Sequence, residues 1–454
     1  MRSWLLSELE TPLCAQRAGP DSAILGVSID SRSTCAGDLF VAINGDNFDG
    51  HDYLSQAERA GAVAALVSEQ RATNLPVLKV DDTQKALGLL GAYNRRAFAG
   101  TLVAITGSVG KTTVKNMVRA VLSQKGATLA TQGNFNNEIG VPLTLLNLAP
   151  EHQFAVVEMG AARTGDISLL AELGRPSVAV LLNAMAAHLE GFGTVEDVAR
   201  AKGEIFDGLE AGDVAIINAD QAWAKQWRGR AGAAKILDFG LSNPAAITAK
   251  AIETRGLEGV SFTASTPLGD FAVSLQLPGR HNVMNALAAI AVAVACGLSI
   301  VEIQQGLASV AAVAGRLSVV KADGGANVVD DCYNANPGSV KAAIDILAQC
   351  EGRRTLVLGA MKELGPDSEE LHIEVARYAR AAGIEQLWGV GEELRAAVQV
   401  FASGGRFFPD RQAASAAATG AFTEGDTVLL KGSRSAGMEL VLTALVSEKS
   451  DSGG

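Results

Sequence analysis

A strand, a glycine turn and a helix are predicted in immediate succession by "AITGSVGKTTVKNMV", residues 104–118. Gly107 and Gly110 allow a tight turn whose consecutive backbone N–H groups point at one anion, and the helix N-terminus that follows adds to the attraction. The spacing resembles a phosphate-binding loop of the G-x-x-x-x-G-K-[ST] type, except that Ile105 stands in place of the first glycine. This segment therefore predicts an α/β fold that binds a nucleotide at the end of a strand.

The loop residues divide the expected contacts to a nucleotide among them. Lys111 is expected to reach the outer phosphates, Thr112 to offer a hydroxyl to Mg²⁺, and Thr113 to contact phosphate. The candidate nucleotide-binding residues of the loop are Gly107, Ser108, Val109, Gly110, Lys111, Thr112 and Thr113. The alternative is a glycine turn with an incidental lysine, and the strand before it, the intact G-K-T-T and the helix after it favour nucleotide binding.

Strand-like and helical patterns alternate along the chain, which at 454 residues is longer than one hydrophobic core normally spans. Such alternation is typical of parallel βαβ units that bind ligands at the carboxyl ends of their strands. We predict three α/β units: a small module over residues 1–82, a central parallel-sheet domain over 83–313, and a Rossmann-like domain over 314–454. The composition, 48% hydrophobic and 19% charged, is that of a globular protein.

Individual segments predict individual elements. In the first unit "GDLFVAI" predicts a strand, "YLSQAERAGAVAALVSE" (residues 53–69) a single helix, and "TQKALGLLGAYNRRAFAG" a helical connector to the next unit. In the central unit "TLVAIT", "FAVVEMG" and "SVAVLLNA" predict strands, and short strands follow near 246–277. In the third unit "NVVDD" and "DTVLLKG" predict strands.

Charge and cysteine content restrict the partners and the compartment. The chain carries 38 basic and 49 acidic residues, a net charge of -11, so no basic surface is expected for a nucleic acid. Its 5 cysteines include no C-x-x-C pair, which indicates a reducing compartment and no zinc site. Because "MRSWLLSELE" reaches acidic residues before any long apolar region, no signal peptide is expected, and we predict a cytoplasmic protein.

One apolar segment, "VMNALAAIAVAVACGLSIV" over residues 283–301, is about long enough to cross a bilayer. Much of it is alanine, however, and Asn285, Gly297 and Ser299 interrupt it. We therefore predict a helix buried in the protein, and no association with a membrane.

Three residues outside the loop are candidates for the chemistry of the terminal phosphate. Glu158 ends an apolar strand, where it could hold a cation or cap a helix. His188 follows another strand, where a polar loop residue is the plainer interpretation. Lys202 lies on the amphipathic pattern "TVEDVARAKGEIFDGLEAG", and periodicity alone favours a solvated surface lysine.

Several motifs occur in a fixed order along the chain. After "TGSVGKTT" come "GNFNNEIGVPLTLL", "EMGA", "AHLEGFG", "AKGEIF", "LPGRHNVMNALAA", "GRL" and "DDCYNANPGS". Together these motifs resemble the Mur ligases, ATP-dependent amide-forming enzymes of peptidoglycan synthesis, and the resemblance runs through all three units. The phosphate loop of that family is off-type in the same way, which accounts for Ile105.

The resemblance implies roles for the chemical residues. Lys111, Thr112 and Glu158 match the site of ATP and a first Mg²⁺, His188 matches a second Mg²⁺ position, and Lys202 matches a lysine that the family carbamylates with CO₂. A carbamate would replace a cation that repels Mg²⁺ by an oxygen ligand that attracts it. The implied catalytic residues are Lys111, Glu158, His188, Lys202 and Arg316, and the implied metal ligands are Thr112, Glu158, His188 and Lys202.

Further nucleotide contacts follow from the same resemblance. Asn282 and Asn285 match positions near the adenine, and Arg316 matches an arginine that contacts phosphate. Asp331 matches a carboxylate that accepts from ribose hydroxyls, with Asn334 nearby. The alternative to nucleotide binding for "YNANPG" is a structural turn, because it is rich in Asn, Pro and Gly.

The resemblance also implies where the acceptor substrate binds. In the first unit, which resembles a UDP-sugar module, Ser31 and Arg32 would approach the uridine diphosphate, because a guanidinium can donate two parallel bonds. An ordinary surface arginine is the alternative. Asn134 and Asn137, in "GNFNNEIGVP", are the other candidates for substrate binding.

Within the family, "GNFNNEIGVP" and "DDCYNANP" resemble the member that adds D-alanyl-D-alanine to UDP-N-acetylmuramoyl-tripeptide. The expected reaction passes through an acyl phosphate and gives ADP and phosphate. Its cofactors would be ATP and Mg²⁺ at two sites, its partners those two small molecules, and the enzyme a monomer.

Three other functions stay open from the sequence. A family member that adds one amino acid is the nearest, although its "DYAHTP"-like segment is replaced here by "DDCYNANP". A folylpolyglutamate synthase would not need a first unit that binds UDP. A non-catalytic nucleotide-binding module would not need Lys111, Thr112, Glu158, His188 and Lys202 together.

Overall fold

The computed structural model describes residues 1–45, 48–186 and 189–446, with Leu189 described by its backbone alone. Over these ranges, no helix has both the length and the apolar character needed to span a bilayer.

Residues 1–82, predicted to be the first unit, contain a small, mostly parallel sheet. Its strands are β1 (Trp4–Leu5), β2 (Gln16–Ala18), β3 (Ala23–Ile24), β4 (Gly26–Ser28), β5 (Asp38–Val41), β6 (Ala64–Val67) and β7 (Val77–Lys79), and its helices are α1 (Glu10–Leu13) and α2 (Leu54–Ala60). The main sheet has the order β2-β7-β6-β5-β4, in which β2 alone pairs antiparallel, and β1 pairs with β3.

The helix predicted over residues 53–69 is wrong in its second half. Helix α2 ends at Ala60, and Gly61 caps it with φ of 110°, a left-handed conformation that glycine adopts without a steric penalty. The chain then forms β6, an interior strand of the sheet in which every residue is buried. A strand covered on both faces is apolar throughout, so its sequence lacks the alternation that distinguishes a strand from a helix.

The predicted connector is a helix, α3 (Thr83–Arg96), and Asp82 caps its N-terminus by accepting from Lys85 N at 2.9 Å. Leu87 and Leu90 of α3 pack into the core of the first unit together with Leu66. The helix therefore begins the central unit and also covers the sheet of the first.

The central unit alternates strands and helices before ending in an antiparallel sheet and two helices. Its strands are β8 (Thr101–Thr106), β9 (Thr128–Ala130), β10 (Phe154–Glu158), β11 (Val178–Leu181), β12 (Val214–Asn218), β13 (Lys235–Phe239), β14 (Thr248–Thr254), β15 (Val260–Thr266) and β16 (Gly269–Leu275). Its further helices are α4 (Lys111–Leu122), α5 (Gly140–Leu146), α6 (Asp166–Gly174), α7 (Leu189–Phe192), α8 (Val195–Lys202), α9 (Ala224–Arg230), α10 (His281–Ala295) and α11 (Ile300–Ala308).

The main sheet of this unit is parallel, with the order β13-β12-β11-β8-β10-β9. After β8 the chain forms β9 and β10 on one side and then crosses to β11, β12 and β13 on the other. The carboxyl end of β8 thus lies where the strand order reverses, the place at which open α/β sheets bind ligands. The predicted α/β fold and its parallel central sheet are confirmed.

The alanine-rich segment is a buried helix, as predicted. Every residue of α10 from Ala286 to Ala293 is inaccessible to solvent, and the helix packs against α4 and against β15 of the antiparallel sheet β14-β15-β16. Small alanine side chains let the neighbouring elements approach closely, so this helix joins the two sheets in one core.

The third unit has its own sheet, which is buried on both faces. Its strands are β17 (Ser318–Lys321), β18 (Asn327–Asp331), β19 (Arg354–Gly359), β20 (Gln386–Val390), β21 (Gly405–Phe408) and β22 (Thr427–Lys431), and its helices are α12 (Pro337–Leu347), α13 (Ser368–Ala381), α14 (Arg395–Phe401), α15 (Arg411–Ala418) and α16 (Glu439–Leu445). The sheet order is β17-β18-β22-β19-β20-β21, with β17 antiparallel at the edge. Separate hydrophobic cores cover its two faces.

Candidate active site

The site lies at the carboxyl ends of the three middle strands of the central sheet. Thr106 ends β8, Glu158 ends β10, and Asn183 follows β11. The Thr106 hydroxyl donates to Met159 O at 2.8 Å and ties the ends of two neighbouring strands together. Because parallel strands end at one edge of the sheet, these side chains meet in a single crevice.

The glycine loop is held against α10 at Gly110. This residue has φ of 86°, and a Cβ atom built on it would lie 2.7 Å from Asn285 Oδ1. Asn285 Nδ2 in turn donates to Asn282 Oδ1 at 2.9 Å, and Asn282 Nδ2 donates to Pro278 O at 2.8 Å. The two asparagines predicted to bind nucleotide therefore lie beside the loop, at the start of the buried helix.

Two of the loop N–H groups are already used within the protein. Ser108 N donates to Asn183 O at 3.1 Å, and Val109 N donates to Asn183 Oδ1 at 3.0 Å. Asn183 Nδ2 returns a bond to Val109 O at 3.1 Å. The loop's shape is thus fixed by the segment after β11, and the amides from Gly110 to Thr113, at the start of α4, are the ones placed to meet an anion.

Glu158 is the centre of a buried polar cluster. Its Oε2 accepts from Thr112 Oγ1 at 2.8 Å, and its Oε1 accepts from Asn136 Nδ2 at 2.8 Å. Its backbone N–H donates to Thr131 Oγ1 at 3.0 Å. The carboxylate accepts from side chains of α4 and of the loop after β9, so it does not act as a helix cap.

Two lysines of α4 face this carboxylate from successive turns. Lys111 Nζ donates to Gly107 O at 2.7 Å, and Lys115 Nζ lies 3.9 Å from Glu158 Oε2. Burial lowers the pKa of each ammonium, Glu158 opposes that shift, and Arg316 adds to it. The site therefore concentrates positive charge around one carboxylate, which suits the binding of a polyanion.

The expectation of a solvated Lys202 is wrong. The residue ends α8 and is 1% exposed, and Phe192 lies below its Nζ with the ring centroid at 5.9 Å. No carboxylate in the described part of the chain pairs with it. Burial, and secondarily the charge of Lys111, lowers its pKa well below the ordinary value. Helix periodicity failed here because neighbours cover most of the last turns of α8. Trp227 donates from Nε1 to Ala199 O at 3.0 Å. The residues of these turns that are buried as well as Lys202 are Val198, Ala199 and Ala201.

The third unit closes the crevice from the other side. Arg316, Asp331 and Asn334 line the same cavity as Lys111 and Glu158, a space of about 770 Å³ between the two units. Residues predicted from motifs some 200 positions apart are thus brought to one site.

Within this wall two cations have different partners. The Arg316 guanidinium stacks on Tyr333, 4.0 Å from the ring centroid. Lys431, which is 2% exposed, donates from Nζ to Asp331 Oδ2 and to Asn334 O. Burial raises the pKa of the Asp331 carboxyl, and Lys431 opposes that shift.

The asparagine-rich loop after β9 contributes three side chains with separate tasks. Asn134 and Asn137, the predicted substrate contacts, both line the cavity. Asn137 Oδ1 accepts from Gly140 N at 2.9 Å and holds the start of α5, whereas Asn136 bonds Glu158.

The predicted contacts to a uridine diphosphate lie apart from this cavity, in the loop after β4. Ser31 is buried, and the exposed Arg32 guanidinium forms a two-pronged ion pair with Asp30. This pairing lowers the pKa of the Asp30 carboxyl to about 2. His188 lies outside the residues that the structure describes.

Four residues of the site were missed by the sequence reasoning: Lys115, Asn136, Asn183 and Lys431. Lys115 follows Lys111 by one helical turn and so shares its face, a signal that spacing gives. Asn183 and Lys431 each terminate or follow a predicted strand, the position at which ligand contacts were expected. Nothing in the sequence distinguishes Asn136 from its asparagine neighbours.

The arrangement fits a nucleoside triphosphate with a hard divalent cation. Free amides at the start of α4, Lys111 and Arg316 can meet phosphate oxygens from two sides. The Glu158 carboxylate and the Thr112 hydroxyl are oxygen donors of the kind that Mg²⁺ takes together with phosphates and water. Among the described residues no cluster of three or more histidine, cysteine and acidic side chains that could hold a metal ion occurs.

Family descriptions match three consecutive parts of the chain. The Mur ligase family catalytic domain matches residues 23–95, the Mur ligase middle domain matches 105–293, and the Mur ligase glutamate ligase domain matches 315–434.

Curated relatives are similar over nearly the full length. The Escherichia coli (strain K12) protein named UDP-N-acetylmuramoyl-tripeptide--D-alanyl-D-alanine ligase is 44% identical over 448 residues, covering 98% of this chain and 99% of the relative. The Bacillus subtilis (strain 168) protein of the same name is 35% identical over 382 residues, covering 82% and 81%.

Solved structures are similar to this chain over most of its length. MurF from Acinetobacter baumannii superposes with a TM-score of 0.92 at 34% identity, covering 98% of this chain and 99% of that one. A MurF ligase from Thermotoga maritima in complex with ADP gives a TM-score of 0.81 at 30% identity, covering 92% and 96%.

Proposed function

This chain belongs to the Mur ligase family, and we propose that it is an ATP-dependent ligase that joins D-alanyl-D-alanine to UDP-N-acetylmuramoyl-tripeptide. The terminal carboxylate of the tripeptide attacks the γ-phosphorus of ATP, giving an acyl phosphate and ADP. The amine of the dipeptide then attacks the acyl carbon, the new amide forms, and phosphate leaves. The product is a peptidoglycan precursor.

The observation that carries the proposal is the shared cavity. Its central wall offers the phosphate loop and Glu158, and its other wall offers Arg316 and Asp331. Phosphoryl transfer requires mainly positioning and neutralisation of charge, and groups on two units can supply both only when they close around the substrates.

Each group has a task that its surroundings support. Lys111 and Arg316 offset the charge of the transferring phosphoryl oxygens. Asn282 and Asn285 lie beside the loop to receive the base, and Asp331 and Asn334 lie across the cavity to receive the ribose.

Thr112 and Glu158 would hold Mg²⁺, and His188 is assigned to a second ion from the family resemblance alone. An ion held there would supply positive charge that offsets the charge of the phosphate oxygens. The Thr112–Glu158 bond at 2.8 Å keeps both oxygen donors within reach of one ion.

Lys202 would be carbamylated. Burial lowers the pKa of the Lys202 ammonium, which favours the neutral amine. The lone pair of that amine would add to the carbon of CO₂ with loss of one proton and give a carbamate. An anion at this position would lie near Lys111 and so offset the like-charge repulsion that the amine experiences when protonated.

The remaining assignments belong to the same proposal. Residues 1–82 bind the UDP-sugar end of the acceptor through Ser31 and Arg32, residues 83–313 bind ATP, and residues 314–454 complete the site. Asn134 and Asn137 contact the peptide arm. The enzyme acts as a monomer, and it acts in the cytoplasm because it consumes ATP.

Phosphate release from ATP tests the reaction. With the muramoyl tripeptide present, adding D-alanyl-D-alanine should start continuous release, and single amino acids should not replace the dipeptide. Lys202→Ala should abolish most turnover, whereas Lys225→Ala, at an exposed lysine of α9, should not. Absence of dipeptide-dependent release by the unaltered protein would refute the proposed activity, and full activity of Lys202→Ala would refute the carbamate.

A further inference from the structure

A second cavity, of about 520 Å³, adjoins the first along the outer side of α4. Its walls are α4, the segment from β9 to Asn134, and the segment around Arg316 and Tyr333. Thr112, Asn134 and Arg316 line both cavities, so the second cavity opens beside the place where the reacting groups meet.

Positive charge distinguishes this cavity from the rest of an acidic chain. Lys115, Arg119 and Arg316 line it, and none of its described lining residues is acidic. Lys115 and Arg119 are one turn apart on α4, and Arg119 and Arg316 both lie near enough to Lys115 to act on its ammonium. The other lining groups that can form hydrogen bonds are neutral, among them Thr131 and Asn134.

The cations of this cavity have little anionic compensation of their own. Lys115 is 4% exposed and lies 3.9 Å from Glu158, which also serves the first cavity. Neither Arg119 nor Arg316 takes part in an ion pair within the described part of the chain, and Arg316 stacks on Tyr333. Three like charges around one space repel each other, so an anionic group that enters it is attracted by all three.

The position of the cavity indicates which anion this is. The acceptor's reacting carboxylate must meet the phosphate near Thr112 and Glu158, so the residue that bears this carboxylate lies at the junction of the two cavities. The side chain of that residue must extend away from the junction, and the second cavity has space for it. An anionic group on its side chain would then lie among the three cations.

We propose that the second cavity receives the side chain of the third residue of the muramoyl tripeptide and favours one that ends in a carboxylate beside its ammonium, as in diaminopimelate, over the lone ammonium of lysine. This inference rests on the function proposed above. It assigns to Arg119 and Lys115 the selection between the two kinds of tripeptide.

The diaminopimelate side chain carries no net charge at neutral pH, whereas the lysine side chain carries one positive charge. In a space lined by three cations the first can place its carboxylate toward Arg119 and keep its ammonium near neutral oxygens. The second gains no such contact and is repelled.

Arg119 offers the cleanest test, because it is exposed and its replacement leaves the core of α4 unchanged. The measurement is kcat/KM for the two tripeptides with the full chain, ATP and D-alanyl-D-alanine. The unaltered enzyme should prefer the diaminopimelate tripeptide. Arg119→Gln should lower kcat/KM for that substrate by about twofold to fivefold, the contribution of one exposed charged contact. It should raise the value for the lysine tripeptide, because one repelling cation is gone.

Arg119→Glu should invert the preference, a change that general damage to the fold would not produce. Arg380→Gln, at an exposed arginine of α13 that lines neither cavity, should leave the ratio of the two substrates as it is. Calorimetric titration with each tripeptide in the absence of ATP should show the same order of affinities.

Several results would overturn the inference. Equal kcat/KM for both tripeptides in the unaltered enzyme would show that the cavity does not distinguish the third residue. An equal fall in kcat/KM for both tripeptides in Arg119→Gln would show the same. A raised KM for the dipeptide alone would assign the cavity to the dipeptide carboxylate, and altered inhibition by inorganic phosphate alone would assign it to phosphate. If no tripeptide supports dipeptide-dependent phosphate release, it is the proposed function that fails.

Discussion

Replacing Lys431 by methionine should destabilise the third unit, because it removes the counter-charge of a buried carboxylate. Lys431 and Asp331 are register partners at the ends of the parallel strands β22 and β18, so the sheet itself fixes their pairing. Their side chains are 3% and 14% exposed. Methionine keeps the length and the apolar contacts of the lysine stem and removes only the ammonium.

The expected loss in free energy of unfolding follows from the two groups that lose Lys431 as their partner. Breaking a buried ion pair by removing one partner typically costs about 3–5 kcal/mol, and the residual exposure of Asp331 favours the lower end. Asn334 O also loses the donor that stood 2.9 Å away, at about 1 kcal/mol. We therefore expect a loss of about 3–4 kcal/mol in Lys431→Met. The double variant Lys431→Met/Asp331→Asn should lose only about 1 kcal/mol, because no charge is left unpaired.

The pH dependence has a definite sign. Burial raises the pKa of Asp331 above its unfolded value of 3.8, so the folded protein binds the proton more tightly than the unfolded chain. Stability from this group is greatest in acid and falls as pH rises through the window between the two pKa values. Without Lys431 the pKa of Asp331 rises further, so the destabilisation should be largest at neutral pH and should shrink on acidification.

Hydrogen exchange of the β18 and β22 amides, compared between neutral and mildly acidic buffer, measures this stability where the pair lies. The nucleotide affinity should fall in the same variant, because Asp331 lines the ATP cavity. A single variant that loses no more stability than the double variant, or whose loss grows in acid, would refute the reasoning.

Three further changes test the central unit. Glu158→Gln should raise the Mg²⁺ concentration needed for half-maximal phosphate release by about tenfold or more, because an amide keeps the side-chain volume without the charge. An unchanged Mg²⁺ requirement would show that Glu158 is not a metal ligand. Gly110→Ala should weaken ATP binding by about tenfold, measured by calorimetry, because alanine disfavours φ of 86° and its Cβ would lie 2.7 Å from Asn285 Oδ1. Adding Asn285→Ala to this variant should not restore the ATP affinity, because the backbone strain persists. In buffer free of CO₂, Lys202→Met should unfold at a higher denaturant concentration than the unaltered protein. This difference in stability should shrink as pH rises toward the ordinary lysine pKa of 10.5, because the lowered pKa destabilises the folded protein only while the amine of the unfolded chain is protonated. A difference that grows with pH would contradict the assignment. Finally, an ATP analogue with the muramoyl tripeptide should reduce the radius of gyration in solution scattering, and an unchanged envelope would count against closure of the two units.

Local chemistry was enough to predict the main elements of the fold. The strand, glycine turn and helix at residues 101–122, the buried alanine-rich helix and the strands that end in Glu158 and Asp331 all appear as expected. Short β-branched runs beside turn residues indicated the strands, and the length of the alanine-rich run indicated the helix. The same reasoning placed the candidate ligands at strand ends, where the structure brings Lys111, Glu158 and Arg316 to one cavity.

Tertiary packing decided what local chemistry leaves open. The strand β6 resembles a helix in sequence because it is buried on both faces, and only the sheet around it fixes its conformation. Lys202 resembles a surface lysine until Phe192 and the elements around α8 cover it. Lys431 acquires its role from Asp331, 100 residues earlier in the chain, through the register of two strands. Burial and charge pairing arise between distant segments, so the protonation of a side chain and the ligand it can hold are properties of the folded protein. The glycines of the loop, by contrast, permit its turn by their own chemistry, although Asn183 then holds the shape of that turn.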